Sequence, residues 1–221
     1  MNKRLCTSCI LSFVVMDVRL KHPFTSVVAG PTKSGKTRFV FRLIENADTL
    51  INPPPERIVY CYGEFQPIFA KFPAVEFHEG LPDVNQFDGR KRVLLILDDL
   101  MNEANQNICN LFTKLSHHRN VSVVFVTQNL FHKNPFVRTM NLNTHYIVMF
   151  KNPRDAGQVA NLARQMYPGK SKFVVEAYKD ATKDPYGYLL FDMDSTTDEN
   201  YRIRTKIFPD DDRSYAYIPK V

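Results

Sequence analysis

Along most of this chain the apolar residues come in unbroken runs, not in alternation. Phe24 to Ala29, Arg57 to Cys61, Val93 to Asp99, Val121 to Val126 and His145 to Phe150 each read as a strand buried on both faces. Helical spacing fills the gaps between them. Phe39, Val40, Leu43 and Ile44 mark one face of a helix from about Lys36 to Ala47, which the prolines at 53 to 55 keep from continuing. Ile108, Leu111, Phe112 and Leu115 fall at i, i+3, i+4 and i+7, a stripe that packs on a sheet. Asn152 as a cap with Pro153 at the first position predicts a helix through Met166 that stops at Pro168-Gly169. Phe173, Val174, Ala177, Tyr178 and Ala181 trace another, from Ser171 to the Asp184-Pro185 turn. Pro73 to Phe77 is a further short strand, and Leu81 to Gly89 a polar connection. Tyr188 to Phe191 and Tyr201 to Phe208 read as a closing hairpin, where Tyr201, Ile203 and Ile207 alternate with Arg202, Arg204 and Lys206. That basic face is expected to be wet.

Strands alternating with helices predict an α/β domain with a mainly parallel sheet, and one junction carries a motif. Gly30-Pro31-Thr32-Lys33-Ser34-Gly35-Lys36-Thr37 fits G-x-x-x-x-G-K-[ST] between an apolar strand and an amphipathic helix, the context a phosphate-binding P-loop requires. Gly30 and Gly35 let the backbone turn and aim its N–H groups at a polyphosphate, at the positive end of the following helix. Lys36 then reaches the β- and γ-phosphates, and the Thr37 hydroxyl binds Mg²⁺.

The run Val93 to Asp99 ends in two carboxylates, about sixty residues after that loop. Asp98 is placed to hold Mg²⁺ as a Walker B aspartate does, directly or through water, and Asp99 to act as general base on the attacking water. Many ATPases of this layout have Glu where Asp99 stands, so this chain places a shorter side chain at the base position. In a parallel sheet of this kind the ligand sits at the carboxyl ends of the strands. Gln128, after the strand Val121 to Val126, therefore lands near the γ-phosphate, to sense it or orient water. Arg119, at the amino end of the same strand, is out of reach of its own nucleotide. It is either an arginine finger for a neighbouring subunit or a surface or DNA-facing cation.

Composition changes this picture little; charge placement changes it more. With 221 residues, 44% of them hydrophobic and 24% charged, the chain suits one large globular domain. Cysteines at 6, 9, 61 and 109 form no paired framework, which suits a reducing compartment, and Cys6-x-x-Cys9 has no partner pair at zinc-ligand spacing. His117 and His118 are adjacent, point apart and lack a third ligand. From Ala104 to Arg154 there is no Asp or Glu, while Lys114, Arg119, Lys133, Arg138, Lys151 and Arg154 equal the whole net excess of +6. An electropositive face has to be built mainly from this segment. Asn129 to Met140, with His132, Lys133 and Arg138 among aromatics, is either a loop for DNA phosphates or an ordinary loop. At the N-terminus, Leu5 to Val15 is too short for a membrane span, and no A-x-A cleavage site follows it. Residues 1–18 are read as an extension, disordered or translated from upstream of a start at Met16, residues 19–208 as the P-loop domain, and 209–221 as a tail.

Taken together, His22-Pro23-Phe24, Gly30 to Thr37, Leu97 to Met101, Ser116 to Asn120, Thr127 to Phe131, Phe150 to Asp155, Ala163-Arg164-Gln165, Tyr167-Pro168 and Pro185 to Tyr188 resemble the genome-packaging ATPases of Maverick/Polinton elements and adintoviruses. Those are relatives of poxvirus packaging ATPases in the FtsK–HerA superfamily of P-loop NTPases. The resemblance spans roughly Arg19 to Phe208 and departs from the family at Lys33, where relatives usually have Gly. It implies an ATP- and Mg²⁺-dependent motor that threads double-stranded DNA into a capsid, with Lys36, Thr37, Asp98, Asp99 and Gln128 at the nucleotide and Arg119 as the finger. The implied partners are duplex DNA, further copies in a ring, and a capsid or portal-like vertex protein, with no stable membrane insertion. The expected location is the host cell at the site of virion assembly, the nucleus before the cytoplasm, and not the secretory route. The fold expected is a three-layer α/β P-loop domain of core order 5-1-4-3-2, with the Gln128 strand between the P-loop strand and the Asp98 strand. The competing readings are a nucleotide kinase or small-molecule NTPase, and a nucleotide-binding scaffold that does not hydrolyse. Neither an N-K-x-D guanine signature nor an arginine-rich lid is present to favour a GTPase or kinase.

Overall fold

A strand that is apolar on both faces is stable only between two covering layers, and five such strands dictate a sheet buried on both sides. The computed structural model describes residues 17–100, 109, 112, 116, 119–130, 139–140 and 142–219. In it the five runs become β2 (Thr25–Ala29), β4 (Arg57–Tyr62), β6 (Val93–Asp98), β7 (Val121–Thr127) and β8 (Tyr146–Phe150). They lie parallel in the order β8-β2-β7-β6-β4, which is the 5-1-4-3-2 arrangement. β2 and β6 are not neighbours; β7 separates them. A short parallel strand, β5 (Glu76–Glu79), forms one edge, beginning three residues later than the pattern predicts. Antiparallel β9 (Tyr188–Asp192), β10 (Ile203–Thr205) and β11 (Tyr215–Ala216) extend the other. β11 lies in the stretch 209–221 read as a tail. A separate parallel pair, β1 (Leu20–Lys21) and β3 (Ile51–Asn52), sits beside the main sheet.

Alternate residues of each strand serve opposite layers. Val28, Tyr60, Ile96, Val124 and Val148 meet α1 (Lys36–Glu45) through Phe39, Val40, Leu43 and Ile44, followed by the short α2 (Ala47–Leu50). Val27, Val59, Leu95, Phe125 and Ile147 meet α3 (Gly157–Met166) and α4 (Ser171–Ala181) through Val159, Leu162, Val174 and Ala177. Phe112 is buried on that side, and Cys109 is buried as well. The other members of the Ile108–Leu115 stripe lie outside the described residues, as do Lys114, His117, His118, the stretch 131–138 and residues 1–16.

Two expectations are corrected. The helix predicted from Asn152 begins at Gly157 instead. The Asn152 side chain accepts a bond from the Arg154 amide at 3.2 Å, and its carbonyl accepts from the Asp155 amide at 3.3 Å, so the Asn closes a turn of its own. The basic face of the closing hairpin is not wet at its centre. Arg204 is 7% exposed at its side chain and meets Asp192, itself 4% exposed, at 2.8 Å, while also donating to the Val18 carbonyl at 2.5 Å. Burial pulls the Arg204 pKa down and raises that of Asp192, while their mutual attraction works against both shifts. Period-two patterning places a residue on a face; it cannot show that the face is covered by a further segment.

A buried pair of this kind is costly to break from one side only. Arg204→Met is expected to lower unfolding stability by about 3–5 kcal/mol in chemical denaturation, with Arg204→Met/Asp192→Leu recovering most of the loss. A loss under about 1 kcal/mol for the single variant would mean the pair behaves as a surface one.

Candidate functional site

Register brings the motif residues to one level. Ala29 pairs with Thr127 across β2 and β7, and Asp98 pairs with Val126 across β6 and β7. The ladder carries one step beyond β2, where the Gly30 amide donates to the Thr127 carbonyl at 3.2 Å. The chain then turns through residues 30–35 into α1. Gly35 has φ 112, a conformation that L residues seldom take, and a Cβ there would sit 3.0 Å from the Tyr186 side chain. At Gly30 a Cβ would lie 2.7 Å from both Phe150 Cβ and Ser34 Oγ, so the loop is pressed against the end of β8 and closed on itself. Lys33 has φ 64 and is exposed. This is the left-handed backbone that Gly takes without strain and that costs an L residue about 1–2 kcal/mol, a physical reason for glycine at that position in the resembling proteins.

Thr32, Lys33, Lys36, Thr37, Asp98, Asp99 and Gln128 line one cleft over the ends of β2, β6 and β7. The Lys36 ammonium arches back over the loop and donates to the carbonyls of Gly30 at 2.7 Å and Pro31 at 2.9 Å. Its partial burial pulls its pKa down, opposed by the negative charge of Asp98 and Asp99. Asp98 is buried and accepts a 2.6 Å bond from the Tyr60 hydroxyl. Burial pushes its carboxyl above the ordinary range; the Tyr60 bond and Lys36 oppose that shift, and Asp99 adds to it. Burial likewise raises the Tyr60 pKa, so this hydroxyl keeps its proton and donates it to the carboxylate. Phe41 stacks on the Tyr60 ring, centroids 5.5 Å apart and planes 11° apart, which fixes the donor's position. Asp99 is exposed, with φ 57, and Gln128 is exposed directly after β7.

The donor set suits a polyphosphate with a hard divalent cation. Ser34 Oγ is buried without a partner among the described residues, inside the turn of the loop, and the Lys36 ammonium stands over the same turn. Thr37 and Asp98 bring hydroxyl and carboxylate oxygens to the cleft, the ligand chemistry Mg²⁺ takes.

Arg119 lies elsewhere. It precedes β7, and the seven extended residues of that strand, about 20 Å of rise, separate it from Gln128. Its Nη1 donates to the carbonyls of Val84 at 2.9 Å and Phe87 at 3.0 Å, tying the connection before β6 to the sheet. At this same end, His22 meets Asn120 at 3.0 Å and Ser122 at 2.6 Å. Of the cationic segment 104–154, Lys114, Lys133 and Arg138 are not among the described residues.

Tyr60, Glu64 and Gln66 belong to none of the sequence motifs. The last two follow β4 and line the same cleft, and the Gly63 amide between β4 and Glu64 donates to the Asp98 carbonyl at 3.1 Å. The signal for them was available in the predicted strand order, since β4 must lie beside β6 and its carboxyl end beside Asp98.

No protein-family model matches the chain, and no curated protein matches it in sequence. Solved structures do match in fold. B204, the DNA-packaging ATPase from Sulfolobus turreted icosahedral virus, superposes with a TM-score of 0.54 at 14% identity, over 90% of this chain and 99% of that one. B204, the genome-packaging NTPase of Sulfolobus turreted icosahedral virus 2, in complex with AMPPCP, gives 0.52 at 14% identity, over 90% and 100%. This chain is therefore similar in fold to viral packaging NTPases over almost their entire length.

Proposed function

We propose that this protein is an Mg²⁺-dependent ATPase that drives double-stranded DNA into a viral capsid, of the Maverick/Polinton and adintovirus type within the FtsK–HerA superfamily. The observation that carries the reading is the convergence of the P-loop, Asp98, Asp99 and Gln128 on one cleft across three adjacent strand ends. The fold shared with packaging NTPases supports it, and so do the quoted motifs.

In this reading the loop amides and Lys36 hold the β- and γ-phosphates, and Thr37 and Asp98 hold Mg²⁺. The bound ion would neutralise charge on the phosphate oxygens. Tyr60 keeps the Asp98 carboxylate turned to its place. Asp99 accepts the proton of a water oriented by Gln128; the water oxygen forms the new bond to the γ-phosphorus, and the bridging oxygen departs with ADP. Arg119 serves the next subunit of a ring, because the length of β7, about 20 Å, keeps it from its own cleft. Its two carbonyl bonds both run through Nη1. A ring also multiplies the cations of residues 104–154 around the duplex. A capsid or vertex protein completes the partner set, at the site of virion assembly in the host cell, the nucleus before the cytoplasm. Among the described residues no helix is long and apolar enough to cross a membrane.

Lys36→Ala is expected to lose nucleotide binding, and Asp99→Asn to bind normally but turn over at least tenfold more slowly, in filter binding and phosphate-release assays. Wild-type turnover by Asp99→Asn would move the base to another residue of the cleft. ATPase rate should rise with protein concentration and with duplex DNA. DNA affinity should fall with salt by about −0.9 in log–log slope per phosphate neutralised. Mixing Arg119→Ala with Lys36→Ala should restore part of the activity, because some interfaces then pair an intact arginine with an intact loop. Turnover indifferent to concentration and DNA, with no rescue by mixing, would leave a small-molecule NTPase or kinase; absence of turnover even on DNA would leave a nucleotide-binding scaffold.

A further inference from the structure

The P-loop has a second flank. β2 lies between β7, on the side of Asp98 and Gln128, and β8, whose last residue Phe150 lies under Gly30. On the β8 side a separate cleft opens at Gly35 and runs along α1 past Arg38 and Phe39. Its opposite wall is the turn into β9, closed by the Gly187 amide donating to the Asp184 carbonyl at 3.1 Å. A polyphosphate held by this loop with its terminal group toward Asp98 must direct its other end away from Asp98, toward this second cleft. We propose that the cleft receives the nucleoside of a bound nucleoside triphosphate and that Tyr186 stacks on its base, an inference that rests on the nucleotide-binding reading above.

Three features of Tyr186 single it out. It is 53% exposed although its Cβ and Cδ1 both lie 3.0 Å from where a Cβ on Gly35 would be, so its ring is open to solvent at the edge of the phosphate loop. It holds φ 63, a backbone conformation an L residue takes at a cost, which sets the direction of the side chain. The Arg38 guanidinium lies 5.4 Å from the ring centroid, one residue past Thr37, so a cation and an aromatic face are presented together. An aromatic face beside a guanidinium is the surface on which nucleobases stack. Gly35 belongs to both parts of the site: its missing side chain is what lets the Tyr186 ring come against the loop.

Stacking makes a prediction that separates base from phosphate. Affinities of the full chain for a non-hydrolysable ATP analogue and for inorganic tripolyphosphate, each with Mg²⁺, would be measured by calorimetry for the wild type, Tyr186→Ala, Tyr186→Phe and Lys36→Ala. Thermal melts would confirm that each variant is folded. Tyr186→Ala should weaken the analogue roughly tenfold and leave tripolyphosphate within twofold, while Tyr186→Phe keeps both. Lys36→Ala should weaken both ligands. The proposal is overturned if Tyr186→Ala leaves the analogue within twofold, or weakens analogue and tripolyphosphate by the same factor, which would make the ring a support for the loop. Either of those results leaves the ATPase reading intact. A wild type that binds neither ligand overturns both.

Discussion

The register across β2, β7 and β6 is the constraint on which the site depends. Parallel strands have evenly spaced bonds, so once Ala29 pairs with Thr127 and Val126 with Asp98, the levels at which the three strands stop are fixed together. The bond from the Gly30 amide to the Thr127 carbonyl extends that fixing into the loop. A slip of one residue would turn every side chain of a strand to the opposite layer, with the core on both faces resisting it. The spacing of the candidate site is thus maintained by the apolar core. The polar groups at the top inherit their positions from Val27, Leu95 and Phe125 on one face and from Val28, Ile96 and Val124 on the other.

Strand content could be read from the sequence because burial on both faces leaves a one-dimensional signal, an unbroken apolar run, while the strand order was expected from the motifs and the resemblance they carry. The five core strands begin and end within about a residue of their patterns, and β7 separates β2 from β6 as expected. What could not be read were facts that depend on a segment distant in sequence. Asn152 carries every local sign of a helix cap, yet its side chain and carbonyl are taken by Arg154 and Asp155, and α3 starts at Gly157 beyond them. Arg204 alternates like a solvent residue and is buried by Asp192 and the backbone of Val18. Tyr60 reads as one more residue of an apolar strand, and only the adjacency of β4 and β6 makes its hydroxyl a partner for Asp98.

Many of the residues that carried the resemblance lie at one end or the other of the parallel strands. At the amino ends of the strands His22 bridges Asn120 and Ser122, and Arg119 ties down the carbonyls of Val84 and Phe87. Those at the carboxyl ends line the cleft to which the proposed function assigns phosphate and metal. Pro185-Tyr186-Gly187-Tyr188 belongs to neither strand-end set of the parallel sheet. It sits at the entry to antiparallel β9, which begins where β8 ends and therefore arrives beside the loop.

This polarity bears on why one copy would be insufficient for a motor. A parallel sheet puts all of its ligand-facing groups at one end, so a strand cannot offer a residue at its start to the nucleotide at its own finish. For Arg119 and Gln128, at opposite ends of β7, to act on the same phosphate, two copies must be arranged so that the amino end of one sheet faces the carboxyl end of another. Such head-to-tail contacts are heterologous and close into rings when the rotation permits. The bonds that hold Arg119 to Val84 and Phe87 bear on the same question, since they anchor the arginine to its own subunit. An arginine fixed in this way would transmit a shift of its β7 to the neighbour's cleft more faithfully than one on a free loop.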